Sequence, residues 1–192
     1  MSRYVLCIII LSSRVNAYQI CDMFYDDFDR FRYTRESEKQ WGIDQSTQMT
    51  IINQESGFKS TARPVDSYLF GFIPWKTKSS ALGYSQALIG TWAEYEIQSP
   101  SWIRSRVLFK DATNFVGWYL NQCHIRAGID KNDISKLYLC YHEGVGGYKR
   151  QSFKEKPWLL KTAERLKVSN QRARAQLNQC EASLRWSHLY FL

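Results

Sequence analysis

Glu55 is the residue whose type and neighbours best suit acid–base chemistry. It lies in Gln-Glu-Ser-Gly-Phe, at the end of an apolar segment that is predicted to be helical. A carboxyl group beside apolar surface ionises less readily, so its pKa rises. A carboxylic acid that keeps its proton near neutral pH can protonate a glycosidic oxygen. The alternative is an ordinary solvated or capping glutamate at a helix end.

Two later motifs could complete a site. In residues 83–86, Gly-Tyr-Ser-Gln, the glycine permits close backbone approach and the Gln86 amide can donate to or accept from a ligand. In residues 138–148, a phenol, an imidazole and a carboxylate precede three glycines. His142 could be a metal ligand or a catalytic base, but the chain has neither HExxH nor GxSxG. A structural, hydrogen-bonded histidine is the alternative.

The order and spacing of these motifs resemble the soluble-type (SLT) lytic transglycosylases, which have a lysozyme-like domain. Glu55-Ser56 stands where that family has its catalytic Glu-Ser, and residues 83–86 stand where it has Gly-Leu-Met-Gln. Tyr-His-Glu-Gly at residues 141–144 stands where the family has Tyr-Asn-Ala-Gly. The similarity covers about residues 20–181, and the insertion at residues 71–76 resembles compact proteobacterial members.

The resemblance implies a reaction on peptidoglycan. Glu55 would protonate the β-1,4 bond between N-acetylmuramic acid and N-acetylglucosamine and then act as a base. The sugar's own 6-hydroxyl would close the ring as a 1,6-anhydro product, with no metal or cofactor. Tyr141 would position Glu55 or stabilise the cation, and Gln86 and Ser56 would hold acetamido groups. The implied substrate-binding residues are Ser56, Gly83, Tyr84, Gln86, Tyr141, His142 and Glu143.

The sequence departs from the family at two of these positions. His142 replaces the usual sugar-contacting asparagine, and Glu143 adds a second carboxylate close to the site. A true muramidase, with Glu143 or Asp66 assisting a water molecule, therefore stays an alternative. Tyr68 and Trp75 either line the cleft by stacking or belong to the core.

Hydrophobic spacing indicates which elements must position these residues. Apolar residues at helical spacing predict helices over Tyr18–Arg32, from the N-cap Asp44 to Gly57, over Ser85–Ile97, from Asp111, over Asp133–Tyr141 up to the glycines, and from Pro157 onward. Residues 58–80 predict a long ordered loop or a small hairpin. The expected fold is therefore mainly α: a lysozyme-like (SLT) domain with an irregular loop or small hairpin insertion and a long C-terminal helix.

The last helix carries a continuous seam, with steps of four and three residues. Its members are Leu159, Ala163, Leu166, Asn170, Ala173, Leu177, Cys180 and Leu184. A disulfide between Cys21 and Cys180 would join the two ends of the domain. Cys123 and Cys140 are interpreted as plain buried thiols, and their pairing is left open.

The N-terminus predicts export. A positive charge in Met1–Arg3, an apolar run over residues 4–11 and a small-residue pattern ending at Ala17 are typical of a signal peptide. The expected organisation is a cleaved segment 1–17 and a single domain 18–192, in the periplasm of a Gram-negative envelope. A buried N-terminal strand is the alternative for residues 4–11.

The net charge of +8 is uneven: residues 101–192 hold 16 Lys/Arg and 7 Asp/Glu, whereas residues 1–100 hold 10 and 11. We expect the basic half to attract the carboxylates of peptidoglycan stem peptides. We expect the protein to bind glycan strands and neither to bind nucleic acid nor to insert into a membrane. It is expected to be a monomer that an envelope complex recruits. The rival classes are a basic nucleic-acid binder acting through residues 149–174 and a wall-binding scaffold without activity.

Overall fold

The computed structural model describes residues 19–64, 67–69, 73–76, 79–99 and 103–189, and of residues 67–69, 73–76 and 187–189 it describes the backbone alone. The predicted signal peptide, Asp66 and the side chains of Tyr68 and Trp75 lie outside the described residues. Within them, seven α-helices and one short 3-10 helix dominate, which confirms the mainly α prediction. No helix in the described ranges is long and apolar enough to cross a membrane.

The elements follow one another with short connections. In chain order they are α1 (Ile20–Asp26), α2 (Phe28–Trp41), α3 (Gln45–Ser56), β1 (Ser67–Leu69), β2 (Ile73–Lys76), α4 (Ile89–Gln98), α5 (Phe109–Ala127), α6 (Ile134–Lys149), the 3-10 helix Ser152–Glu155 and α7 (Pro157–Leu189). The strands β1 and β2 pair antiparallel, with Leu69 opposite Ile73. Of the two predictions for this insertion, the strand pairing favours the small hairpin.

Helix α3 begins and ends where the sequence predicts. The Asp44 side chain accepts a hydrogen bond from the Thr47 backbone N–H at 2.8 Å, which satisfies one of the free donors of the first turn. Gly57 ends the helix in the left-handed conformation, with φ of 56°. Residues 45–52 of α3 are buried, so this helix runs through the interior and delivers its last turn to the site.

Two predicted helices differ from the structure. The prediction of one helix over Tyr18–Arg32 is wrong, because Asp27 is extended (φ −143°, ψ 92°) and separates α1 from α2. The Asp27 carboxylate pairs with Arg30 in the first turn of α2, which favours a new helix start there. The helix predicted over Ser85–Ile97 begins only at Ile89, as α4. The break predicted at the glycines is confirmed, because Gly144 is non-helical and a second segment of α6 follows it to Lys149.

Helix α7 holds the domain together through its predicted seam. Every seam residue from Leu159 to Leu184 is buried, and α7 packs against α1, α3 and α6. Two hydrophobic clusters share this helix: one surrounds Phe115 and Trp118 of α5, and the other surrounds Phe24 and Met49. One long helix therefore stabilises both ends of the fold.

Both pairs of cysteines that follow Ala17 form disulfides. The predicted bond between Cys21 and Cys180 is confirmed, and it joins α1 to the C-terminal part of α7. Cys123 and Cys140 also bond, so their interpretation as plain thiols is wrong. They lie on the buried faces of α5 and α6, which pack closely enough to bring their Cα atoms to 6.1 Å. Two disulfides fit an oxidising, extracytoplasmic compartment.

Candidate active site

Glu55 is the penultimate residue of α3, and its carboxyl group is partly enclosed by protein. Burial raises the pKa of Glu55 to about 7, because the charged form loses its hydration. A hydrogen bond from Tyr138 acts in the opposite direction but does not cancel this effect. Near neutral pH, both the protonated and the charged form of Glu55 are therefore populated, so the group can donate or accept a proton.

Tyr138 was not among the predicted site residues, although it lies in the motif at residues 138–148. Its phenol donates to the Glu55 carboxylate, and the Gln54 side chain donates to the same phenol oxygen. Burial and the nearby negative charge of Glu55 raise the pKa of Tyr138, so the phenol keeps its proton. Its spacing of three residues from Tyr141 places both rings on one face of α6, a signal that the sequence does contain.

Tyr141 connects α6 to the turn at residues 82–87. Its hydroxyl donates to the Ser85 carbonyl oxygen at 2.6 Å. Burial and the negative charge of Glu55 raise the pKa of Tyr141 well above its usual value. The three predicted motifs therefore meet here: Glu55 from α3, the turn before α4, and the two tyrosines of α6.

Gly83 and Gln86 shape the turn itself. Gly83 has φ of 78°, and a Cβ there would lie 2.0 Å from the Arg106 carbonyl oxygen. The close approach that glycine permits is therefore made to the protein's own backbone. Both amide hydrogens of Gln86 are committed, at 2.9 Å to the Ala62 oxygen and 2.8 Å to the Gly83 oxygen. Only its side-chain carbonyl oxygen is left to accept a hydrogen bond from a ligand.

Ser56 and Tyr84 also have contacts within the protein. The Ser56 hydroxyl donates to the Ile52 carbonyl oxygen at 3.0 Å, which leaves its lone pairs as acceptors. The ring of Tyr84 packs edge-on against Phe109, with centroids 5.3 Å apart. Tyr84 is therefore half-buried against α5, and its expected contact with sugar stays a prediction.

Glu143 is held in a network of donors. Its side chain is 4% exposed and accepts from Lys156 Nζ at 2.7 Å, from His142 Nδ1 at 2.9 Å and from the Ser152 hydroxyl. Burial alone would raise the pKa of Glu143, but these hydrogen bonds outweigh it and lower the pKa to about 2. A carboxylate that is so strongly stabilised is a poor proton acceptor.

His142 lies next to this network, at the mouth of a small cavity. Because Glu143 is an anion, His142 donates through Nδ1, and its Nε2 is available to other groups. The cavity has a volume of about 190 Å³ and is lined by Gln86, Ala87, Leu88, Thr91, Phe115, Tyr119, Tyr141, His142, Glu143 and Gly144. A cavity of about 530 Å³ between α2 and the start of α5 lies apart from Glu55.

The kink in α6 directs these side chains. Gly144 has φ of 74° and ψ of 159°, which interrupts the helix directly after His142 and Glu143. The Tyr119 phenol accepts from the backbone N–H of Val145, the residue directly after the kink. The sequence predicted a break here, and in the structure α6 changes direction at Gly144, next to the site.

A model of the transglycosylase SLT domain matches residues 4–180, so it covers the site and nearly the whole chain. The match begins inside the segment predicted to be a signal peptide. The comparison with curated proteins found no match, and neither did the comparison with solved structures. The chain therefore belongs to the transglycosylase SLT domain family, whose lysozyme-like helical domain is that of a lytic transglycosylase acting on peptidoglycan.

Proposed function

We propose that the chain cleaves the β-1,4 bond between N-acetylmuramic acid and N-acetylglucosamine and leaves a 1,6-anhydro end, with Glu55 as the catalytic acid and base. The observation that carries this proposal is the environment of Glu55. Its carboxyl group has a pKa raised to about 7 and contacts the phenol of Tyr138. An acid of that strength can both give and take a proton at neutral pH.

The proposed reaction has two steps. First, protonated Glu55 gives its hydrogen to the glycosidic oxygen, the bond from that oxygen to C1 of N-acetylmuramic acid breaks, and N-acetylglucosamine leaves with a free 4-hydroxyl. The muramic ring becomes an oxocarbenium-like cation beside the Glu55 carboxylate. Second, that carboxylate removes the proton of the 6-hydroxyl while O6 bonds to C1. Glu55 ends protonated, and no water is consumed.

The surrounding side chains suit these steps. Tyr138 donates to Glu55 and so stabilises the carboxylate formed in the first step. Gln86 keeps only its carbonyl oxygen for a ligand, which suits the N–H of an acetamido group. Tyr141 stays neutral beside Glu55 and anchors the wall of the cavity. The sugar contacts of Ser56, Gly83, Tyr84 and His142 remain proposals from the motif positions.

The contacts of Glu143 favour this reaction over a muramidase. An inverting hydrolase needs a second carboxylate free to activate water. Glu143 is instead bound by Lys156, Ser152 and His142, with a pKa lowered to about 2. Asp66, the other candidate for activating water, lies outside the described residues. Release of water-derived reducing ends would support the hydrolase.

We further propose that residues 1–17 are a signal peptide and that residues 18–192 act as a single domain in the periplasm. The two disulfides support this location, since such bonds persist in oxidising compartments. The proposed binding partner is the glycan strand. We propose that the protein is a monomer and that an envelope complex recruits it. The mass of the protein secreted from a Gram-negative host tests cleavage after Ala17.

Mass spectrometry of the muropeptides released from purified sacculi tests the function. Wild type should release 1,6-anhydro products, and Glu55→Gln should release none above background. Glu36→Gln is the matched control, because it removes a carboxylate from α2 beside the separate 530 Å³ cavity. Products with reducing ends, or equal activity of Glu55→Gln, would contradict the proposal.

A further inference from the structure

A surface of α7 next to His142, here called the α7 wall, contains residues that no predicted motif includes. Trp158, Thr162 and Arg165 lie on α7 at spacings of four and three residues, so they share one face of the helix. Trp158 is 56% exposed. Arg165 is also exposed. This face therefore offers a flat aromatic surface and a positive charge to solvent.

The α7 wall is continuous with the site. The Trp158 ring meets the His142 ring nearly at right angles, with centroids 5.2 Å apart. Arg165 follows Trp158 by seven residues on the same face of α7, and its guanidinium donates to Thr162, which lies between them. A ligand that extends from Glu55 past His142 would therefore reach Trp158 and Arg165 next.

Hydrogen bonds hold the wall in place. The Thr162 hydroxyl donates to the Trp158 carbonyl oxygen at 2.9 Å and accepts from Arg165 Nη2 at 3.0 Å. Two other basic residues of this region already have carboxylate partners, Lys156 with Glu143 and Arg174 with Asp44. Arg165 has no carboxylate partner among the described residues. Most of its planar array of donors is thus available to an external anion.

We propose that Trp158 and Arg165 form a subsite for the peptide-bearing N-acetylmuramic acid unit, in which Trp158 packs against the sugar ring and Arg165 pairs with a carboxylate of the stem peptide. This inference rests on the proposed function, because it takes the glycan strand as the occupant of the cleft. Charge complementarity and continuity with the cleft support it. The enzyme then prefers glycan that carries stem peptides to glycan that has been stripped of them.

Binding to sacculi tests the subsite without requiring catalysis. All variants carry Glu55→Gln. Their affinities are measured by co-sedimentation with intact sacculi, and by competition against that sedimentation with the separate glycan strands that remain when an amidase removes the stem peptides (stripped sacculi). Arg165→Gln should lower the affinity for intact sacculi by about 3–10-fold, the range of one exposed charge-assisted contact. The affinity for stripped sacculi should stay unchanged. Trp158→Ala should lower both affinities by a similar factor, since the sugar ring is present in both.

Arg172→Gln is the matched control, because it removes the same charge from an exposed position of α7 two turns farther from Trp158. It should leave the preference for intact sacculi unchanged. Equal losses of Arg165→Gln on both substrates, or equal losses for Arg165→Gln and Arg172→Gln, would overturn the subsite. If wild type fails to form anhydro products, the proposed function fails, but the two affinity ratios still decide the subsite. Circular dichroism verifies that each variant is folded.

Discussion

Tyr138 of α6 donates its phenolic hydrogen to the carboxylate of Glu55 at the end of α3. The phenol also accepts from Gln54, the residue directly before Glu55. The hydrogen bond from Tyr138 limits the rise of the Glu55 pKa. Tyr138 contacts the carboxyl group of Glu55, the proposed catalytic acid, from the protein side, so we regard it as a positioning residue.

Tyr138→Phe should therefore change the pH dependence of the reaction. Without the donor, the Glu55 carboxylate loses a stabilising hydrogen bond, and its pKa rises further above about 7. The alkaline limb of the pH–rate profile should move to higher pH by about one unit, as expected for a hydrogen bond of about 1 kcal/mol. Tyr148→Phe, on the same helix but packed against Phe153, is the control. A lower rate with an unmoved limb would contradict the positioning role.

Glu55→Gln should stabilise the protein above neutral pH. The pKa of Glu55 is raised from 4.5 to about 7 by folding, so the folded state favours the protonated form. The contribution of this group is fully present below pH 4.5 and is lost as the pH rises through about 7. The variant should thus gain up to about 3 kcal/mol over wild type at pH 8 and nothing at pH 4. Urea unfolding at both values measures this, and a pH-independent difference would refute it.

Much of the fold follows from local sequence signals. The seam of α7, the capping residues Asp44 and Gly57, and the start of α7 at Pro157 depend on spacing and backbone conformation within a few residues. At Asp27 two local signals conflict: Phe24, Phe28 and Phe31 keep helical spacing across the break, whereas Asp27 with Arg30 three residues later favours a new helix start. Packing of α1 and α2 against other helices overrides the local pattern there.

Local sequence signals predict less of the candidate site than of the fold. Motif order predicted Glu55 and Tyr141 as site residues, but which tyrosine of α6 donates to Glu55 depends on how α3 and α6 pack. The role of Glu143 was likewise hidden, because its partners Ser152 and Lys156 come from the next element. Trp158 carries no local sign of its neighbour His142. Contacts between elements are set by tertiary packing, which a single sequence does not specify.

Glu143→Gln should destabilise the protein without changing the product. Lys156 would lose its anionic partner, which costs about 1–2 kcal/mol for a half-exposed amine. Because folding lowers the pKa of Glu143 to about 2, its stabilising effect is present above pH 4.5 and declines as the pH falls toward 2. Unfolding at pH 7 and pH 3 should show the difference shrinking. Glu155→Gln, an exposed neighbour, is the control, and a switch to reducing-end products would revive a catalytic role for Glu143.

Gly144→Ala should cost about 1–3 kcal/mol, because alanine rarely adopts φ of 74° with ψ of 159°. The cost is conformational: a Cβ at this position would meet only the Tyr119 hydroxyl, at 3.7 Å. Gly90→Ala is the matched control, since Gly90 is helical with open space around it and should gain up to about 1 kcal/mol. Opposite signs in thermal unfolding are expected. Equal effects would mean that the kink is not under strain.

The two disulfides should differ in what they stabilise. Cys21–Cys180 spans 159 residues and Cys123–Cys140 spans 17. The chain-entropy model assigns about 5 kcal/mol to the longer loop and about 3 kcal/mol to the shorter one. Replacing Cys21 and Cys180 with alanine should thus lower the unfolding free energy more than replacing Cys123 and Cys140.

The loss of activity caused by removing each disulfide should follow the reverse order. The Cys123–Cys140 bond joins α5 to α6 two residues after Tyr138 and one before Tyr141, so its loss loosens the helix that contacts Glu55. The Cys21–Cys180 bond lies between α1 and the distant part of α7. Rates on sacculi, measured well below each melting temperature, should fall several-fold for the Cys123/Cys140 variant and stay near wild type for the other. Equal rates would mean that packing alone positions α6.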